Sequence, residues 1–233
     1  MTAHHSLWST SVETGAHGSG AVLRWSLVLL VLQAQLLISR PVLAQITDGA
    51  TMTVLHGQVA IVRADGSALQ PAPSGTIVRA SDEIRTLAGA GAVLTFFSGT
   101  EIEIGEETTL VIERVSLDGD RIDISLRQVF GASLHRVHAL TDAGSSYRVN
   151  VGGAVALVRG TTFLVYGPTD EHVVGIVCLD DCTERTTFAG CPMGPNVAYW
   201  AEVNHGQVVS RCQPFKPNGS IWNAPRELRL PDR

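Results

Sequence analysis

A chain of 233 residues, 45% hydrophobic and 17% charged, is long enough to bury a full core and too apolar to remain unfolded. Its 22 acidic residues outnumber 17 basic ones, for a formal net charge of −5. That balance argues against a nucleic-acid partner, which needs a clustered basic face to neutralise phosphates.

The first element in the chain is an apolar run from Trp25 to Ile38, interrupted only by Ser26, Gln33 and Gln35 and preceded by Arg24. A positive residue followed by a short apolar stretch is the pattern of a secretory signal. As a helix the run spans roughly 21 Å, short of the roughly 30 Å hydrocarbon core of a bilayer. Cleavage is therefore expected, and Val42-Leu43-Ala44 places it between Ala44 and Gln45. Arg40 sits behind the run and offsets Arg24, so an uncut tether to the inner membrane through residues 25–38 is the alternative. Residues 1–22 are polar and too few to fold alone, and they read either as a short tail or as the result of a start codon placed too early. Removing residues 1–44 takes two arginines and one glutamate, which leaves 15 basic and 21 acidic residues, a net charge of −6. A periplasmic or otherwise exported location is the expectation, with membrane contact only through the N-terminal segment if it stays uncut.

From Met52 onward, short runs of β-branched and aromatic residues are broken by Gly, Asp, Asn or Ser, which is strand-and-turn punctuation. Thr100 to Ile104 alternates, with Ile102 and Ile104 on one face and Glu101 and Glu103 on the other. Arg121 to Arg127 repeats the pattern, with Ile122, Ile124 and Leu126 opposite Arg121, Asp123, Ser125 and Arg127. The tight connections Ala64-Asp65-Gly66-Ser67, Ser98-Gly99-Thr100 and Leu117-Asp118-Gly119-Asp120 supply glycine where positive φ is needed. No window between Thr51 and Arg211 sustains helical spacing, so a βαβ arrangement is not expected. The fold class is all-β, of short antiparallel strands in a sandwich or a solenoid-like stack of hairpins.

Cys178, Cys182, Cys191 and Cys212 are even in number and confined to the last quarter of the chain. Outside the cytoplasm they read as two disulfides, with three pairings open. A zinc site recruiting His172 or His205 would compete, but the paired C-x-x-C knuckles of structural zinc are missing. Beyond Cys178 the pattern loosens into a loop through Pro195. Strand signal returns at Val197 to Val203 and Gln207 to Arg211, and a Pro-rich, irregular tail is expected from Pro214.

Four segments carry a family resemblance: Gly57 to Gly66, Ser81-Asp82-Glu83-Ile84-Arg85-Thr86, Ala92 to Thr100, and the most specific, Val158-Arg159-Gly160-Thr161-Thr162-Phe163. The stretch from Met52 to Val177 resembles a FecR-type domain. Two positions depart from the family pattern. Ser81 stands where glycine is usual, and Val151-Gly152-Gly153 stands where a Thr-Pro pair is common. The resemblance implies a β domain over residues 45–177, after the signal segment 1–44 and before a cysteine-containing β extension and Pro-rich tail, 178–233. It also implies kinship with periplasmic regulators that relay outer-membrane receptor occupancy to a sigma factor. Those regulators place a helical domain ahead of a membrane span. With about two dozen residues before the apolar run, this chain is expected to resemble the free-standing members instead.

In the signature, Gly160 allows a bulge or close backbone approach and Arg159 can bond carbonyls freed there, a structural role favoured over ligand contact. His135 and His138 form H-x-x-H, which on a strand sets the rings on opposite faces, so no metal is expected. Glu101, Glu103, Glu106 and Glu107 make an acidic patch expected to be solvated. The sequence contains no Gly-x-Ser-x-Gly, P-loop or H-E-x-x-H motif, and Gly89-Ala90-Gly91 lacks the third glycine of a dinucleotide loop. No cofactor and no enzyme activity are expected. The function expected is a binding or signalling module of the envelope for a protein or cell-wall partner. The alternatives are a disulfide-stabilised scaffold and, more remotely, a glycan hydrolase acting through Glu101 or Glu103.

Overall fold

The computed structural model describes residues 48–167, 173–180, 182, 186–194 and 198–215, with side chains as far as Val209 in the last strand. The expected signal segment, the expected cleavage point at Ala44 and Gln45, His172 and residues 216–233 lie outside the described residues.

Among the described residues there is no helix. The strands are β1 (Gly49–His56), β2 (Val59–Val62), β3 (Ala68–Leu69), β4 (Thr76–Arg79), β5 (Glu83–Thr86), β6 (Gly91–Phe96), β7 (Glu101–Ile104), β8 (Thr109–Asp118) and β9 (Arg121–Phe130). They continue with β10 (Ala132–Val137), β11 (Ser146–Val151), β12 (Ala154–Val158), β13 (Thr161–Tyr166), β14 (Val173–Asp180), β15 (Thr187–Phe188), β16 (Cys191–Pro192), β17 (Ala198–Asn204) and β18 (Gln207–Phe215). Sheet I has the order β18-β17-β14-β13-β10-β7-β6-β1-β4, and sheet II has the order β16-β15-β12-β11-β9-β8-β5-β2-β3. The chain thus adds one or two strands to one sheet, crosses, and adds to the other. The two expected architectures turn out to be one, a sandwich grown like a stack of hairpins.

Pairing is antiparallel except for β9 with β11, which run parallel with Ser146 opposite Asp123 and Val151 opposite Gln128. That exception follows from the crossing: β10 leaves for sheet I between them, so β11 returns in the direction of β9. The alternation in β7 and β9 does what period 2 dictates. Ile102, Ile104, Ile124 and Leu126 are buried between the sheets, in a core shared with Met52, Ile61, Ile84, Leu94, Tyr147, Val149, Phe163 and Phe188.

Three features differ from the sequence reading. The stretch after Cys178 remains strand to Asp180 and contributes the short β15 and β16, because neighbouring strands supply main-chain partners that local propensity does not reveal. The last strand runs on through Pro214 to Phe215, which a strand at the margin of a sheet tolerates because one side of it needs no ladder bond. Finally, β14 spans residues on both sides of position 177, and β17 and β18 extend the same sheet.

Candidate functional site

The signature Val158-Arg159-Gly160-Thr161-Thr162-Phe163 crosses from β12 in sheet II to β13 in sheet I. Gly160 has φ +124°, and a Cβ there would lie 2.7 Å from Ala139 Cα, so neither the backbone conformation nor the space admits a side chain. Arg159 donates to the carbonyls of Asp142, at 2.7 Å, and Ala143, at 3.2 Å, while its own carbonyl accepts from Leu140 N–H. The guanidinium therefore ties the crossing to the loop between β10 and β11. The buried Thr161 hydroxyl donates to the Asp180 carbonyl and lies 3.3 Å from Cys182 Sγ. Phe163 is fully buried between the sheets.

Ser81 occupies the left-handed region with φ +72°, in the turn where Asp82 N–H donates to the Arg79 carbonyl. The family's glycine is thus replaced where glycine is least strained. Asp82, with a side chain only 5% exposed, accepts from Arg79 N–H at 2.9 Å and from Arg63 at 2.5 Å. Arg63 also donates to the Ile77 carbonyl, so one ion pair knits β2, β4 and the start of β5. The second departure, Gly152-Gly153, is a two-residue hairpin loop between the paired Val151 and Ala154, with φ +58° and +96°. Positive φ at both loop positions is the geometry that suits a twisted hairpin. A Cβ on Gly153 would lie 2.0 Å from the Gly206 carbonyl oxygen, so this loop packs bare backbone against the β17–β18 turn.

Behind the signature lies a buried polar chain that sequence reasoning missed. Gln128 on β9, Ser133 and His135 on β10, and Tyr147 on β11 are all buried and bonded in series. The Gln128 amide nitrogen faces the carbonyls of Gly131, at 2.8 Å, and Gly167, at 3.3 Å, so it donates to both. Its oxygen is then free to accept the Ser133 proton at 2.5 Å. With that proton committed, Ser133 Oγ accepts from His135 Nε2–H at 2.7 Å, and the bare Nδ1 accepts the Tyr147 O–H at 2.6 Å. The imidazole also stacks on Phe163, with centroids 4.7 Å apart and planes 7° from parallel. Burial drives the His135 pKa down to about 3 and pushes the Tyr147 phenol well above its usual value, so both stay neutral. The signals for this chain were the Ser-x-His spacing, which puts both side chains on one strand face, and a lone polar ring at Tyr147 in an apolar alternation. Nothing local joins residues nineteen positions apart.

The other sequence-nominated groups are scattered. His135 is buried within β10, and His138 is exposed just past the end of that strand. Glu103 pairs with Arg136 at 3.1 Å and Glu106 accepts from Gly89 N–H at 2.7 Å, while Glu107 is exposed. Among the described residues no three His, Cys, Asp or Glu side chains are grouped to hold a metal. Cys178 is disulfide-bonded to Cys182, and Cys191 is disulfide-bonded as well. Cys212 lies in β18, whose side chain there is outside the described residues.

Residues 82–179 match the family model described as FecR protein. The match runs from Asp82, inside the Ser81 turn, to β14 and takes in the whole polar chain. Two crystal structures of a candidate anti-sigma factor from Parabacteroides distasonis ATCC 8503, at 1.65 Å and 2.50 Å, are similar to this chain. Each shows 16% identity and a TM-score of 0.41, over 57% of this chain and 60% of theirs. The chain therefore spans about 60% of the length of those neighbours. No curated protein matches it.

Proposed function

Because residues 82–179 match the FecR family model, we propose that the protein is a signalling module of the cell envelope. It acts outside the cytoplasmic membrane, by binding and not by catalysis. The family match is the observation that carries this reading. Export is supported by the apolar run behind Arg24, and the disulfides at Cys178–Cys182 and at Cys191 suit an oxidising compartment. The groups best equipped for proton transfer, His135, Ser133 and Tyr147, spend their donors and acceptors on one another and have no surface on which to meet a substrate.

The partner is a protein or a cell-wall component. Of the four sheet margins, β3 and β16 have two residues and β4 has four, whereas β18 has nine, long enough to take up an extended segment by main-chain pairing. Crosslinking of the tagged protein in intact cells, followed by recovery from the envelope fraction, should yield a discrete partner. Recovery of none under conditions that capture a known envelope complex counts against the proposal. N-terminal sequencing decides release against tethering, since a chain beginning at Gln45 is released and an intact N-terminus keeps residues 25–38 as an anchor. The disulfides favour a second reading, an envelope scaffold, which predicts that deletion weakens the envelope without altering any transcript programme.

A further inference from the structure

The buried polar chain ends at Gln128, whose amide donates to the Gly131 and Gly167 carbonyls and so fixes the connection from β9 to β10. Just after Gln128 the strand bulges. Leu110 faces Gln128 and Thr109 faces Phe130, which leaves Val129 without an opposite residue on β8. Gly131 then packs so closely that a Cβ would lie 2.2 Å from Thr108 Oγ1. Val129 and Phe130 are both turned to solvent there, 41% and 48% exposed. Leu87, 39% exposed, stands at the same end of sheet II, where its N–H donates to the Gln58 carbonyl and its carbonyl accepts from Glu107 N–H. Three large apolar side chains are thus held open to water on a firmly bonded backbone, as a docking surface requires. Glu107 lies among them, bonded to Leu87 on one side and two residues from Thr109, the partner of Phe130, on the other. Its φ is +49°, a conformation that costs an L-residue free energy and that this chain gives mostly to glycine. Its carboxylate is exposed and has no partner among the described residues. A charged residue kept in a strained conformation with its charge unmatched points to function.

We propose that Leu87, Glu107, Val129 and Phe130 dock an extended segment of a protein partner in which a lysine or arginine sits between two apolar side chains. This rests on the reading of the protein as a binding module and adds a contact specific for side chains to main-chain pairing at β18. Arg85, Thr109 and Phe130 share a row across β5, β8 and β9, and Leu87 lies two residues beyond Arg85. Leu87 and Phe130 are therefore two strand spacings apart across the sheet and two residues apart along it, about 12 Å. In an extended segment, side chains at i and i+4 stand about 13 Å apart on one face, with i+2 between them. Apolar residues at the two outer positions cover Leu87 and Phe130, and a basic residue at the middle one meets Glu107. The sign of that charge follows from what is already matched: Arg85 pairs with Glu83 and Arg127 with Glu113, so the charge left over at this end is negative.

Photoreactive benzoylphenylalanine, placed in the full chain at Phe130 and separately at the exposed Val209 of β18, tests this in intact cells under conditions that capture a known envelope complex. From position 130 the expected product is a protein crosslink whose attached peptide, read by mass spectrometry, carries a lysine or arginine two residues from an apolar side chain. A product at 209 with none at 130 overturns this inference and leaves the binding module standing, whereas a product at neither overturns both. A glycan, or a peptide without a basic residue, attached at 130 overturns the inference as well. Glu107→Gly, which relieves the left-handed residue, should move the urea midpoint later yet lower the crosslink yield at 130 several-fold. An unchanged yield in that folded variant also overturns the inference.

Discussion

Around β2, β5, β6, β7 and β8 the interior is mostly aliphatic, with the bonded Asp82 and Thr86 at its margin. Ile61, Ile84, Leu94, Ile102, Leu110 and Ile112 are fully buried and have nothing to satisfy but volume. Around β9, β10, β11 and β13 the same interior holds Gln128, Ser133, His135 and Tyr147, bonded in a fixed direction and stacked on Phe163. The first region is held by area removed from water, which is indifferent to pH and forgiving of which apolar residue fills a site. The second is held by partners that each have one correct protonation state and no alternative acceptor, so an error in one link strands its neighbours. Both hold the two sheets together, and in the second the direction of the bonds also selects which strands meet.

The comparison can be broken at several points. Ile84→Ala, in the aliphatic half, should cost about 2–5 kcal/mol by denaturant titration, with no pH dependence of that cost. Acid should act on the other half. An exposed histidine in the unfolded chain titrates at about 6.5, whereas the folded His135 resists protonation down to about 3. As pH falls through this window the unfolded chain takes up a proton that the fold refuses. Stability then drops by up to about 1.4 kcal/mol per pH unit, and by about 2.7 kcal/mol at pH 4.5. His135→Leu should be less stable at pH 7 yet lose this part of the slope, and an unaltered slope would remove His135 as its origin. Tyr147→Phe leaves Nδ1 without a donor and should cost about 1–3 kcal/mol at neutral pH, measured by thermal or urea unfolding. The smallest effect is a gain. Ser81→Gly relieves a left-handed residue in the turn that positions Asp82 and should stabilise by up to about 1 kcal/mol, seen as a later urea midpoint at unchanged slope.

What the sequence made legible follows from range. The strict alternation in Glu101–Ile104 and Arg121–Arg127 revealed strands and their buried faces, because period 2 is a local property. The positive φ at Gly66, Gly99 and Gly119 was readable for the same reason. The signature could be located but not explained, since the meaning of Gly160 is Ala139 and the meaning of Arg159 is two carbonyls of a loop sixteen and seventeen residues away. The polar chain left only two traces, the Ser-x-His spacing and the lone ring of Tyr147, with nothing local to join them. His135 invited attention as half of an H-x-x-H pair, whereas its partners come from three strands in two sheets. The parallel pairing of β9 and β11 likewise has no local signature, being a consequence of where β10 goes.

The alternating crossings have a kinetic consequence. Apart from the inversions at β4 and β3, rank across each sheet follows rank along the chain, so each strand docks either on its hairpin partner or on a strand made before the chain's last excursion into the other sheet. Hairpin pairs close with little loss of loop entropy, whereas pairs made after an excursion, such as Ile104 with Ser133 or Ala50 with Phe96, close longer loops and form more slowly. A chain appearing from its N-terminal end can therefore extend both sheets as it emerges. The growing margin of each sheet stays exposed until the chain returns from the other sheet, as β7 waits for β10 and β12 for β15.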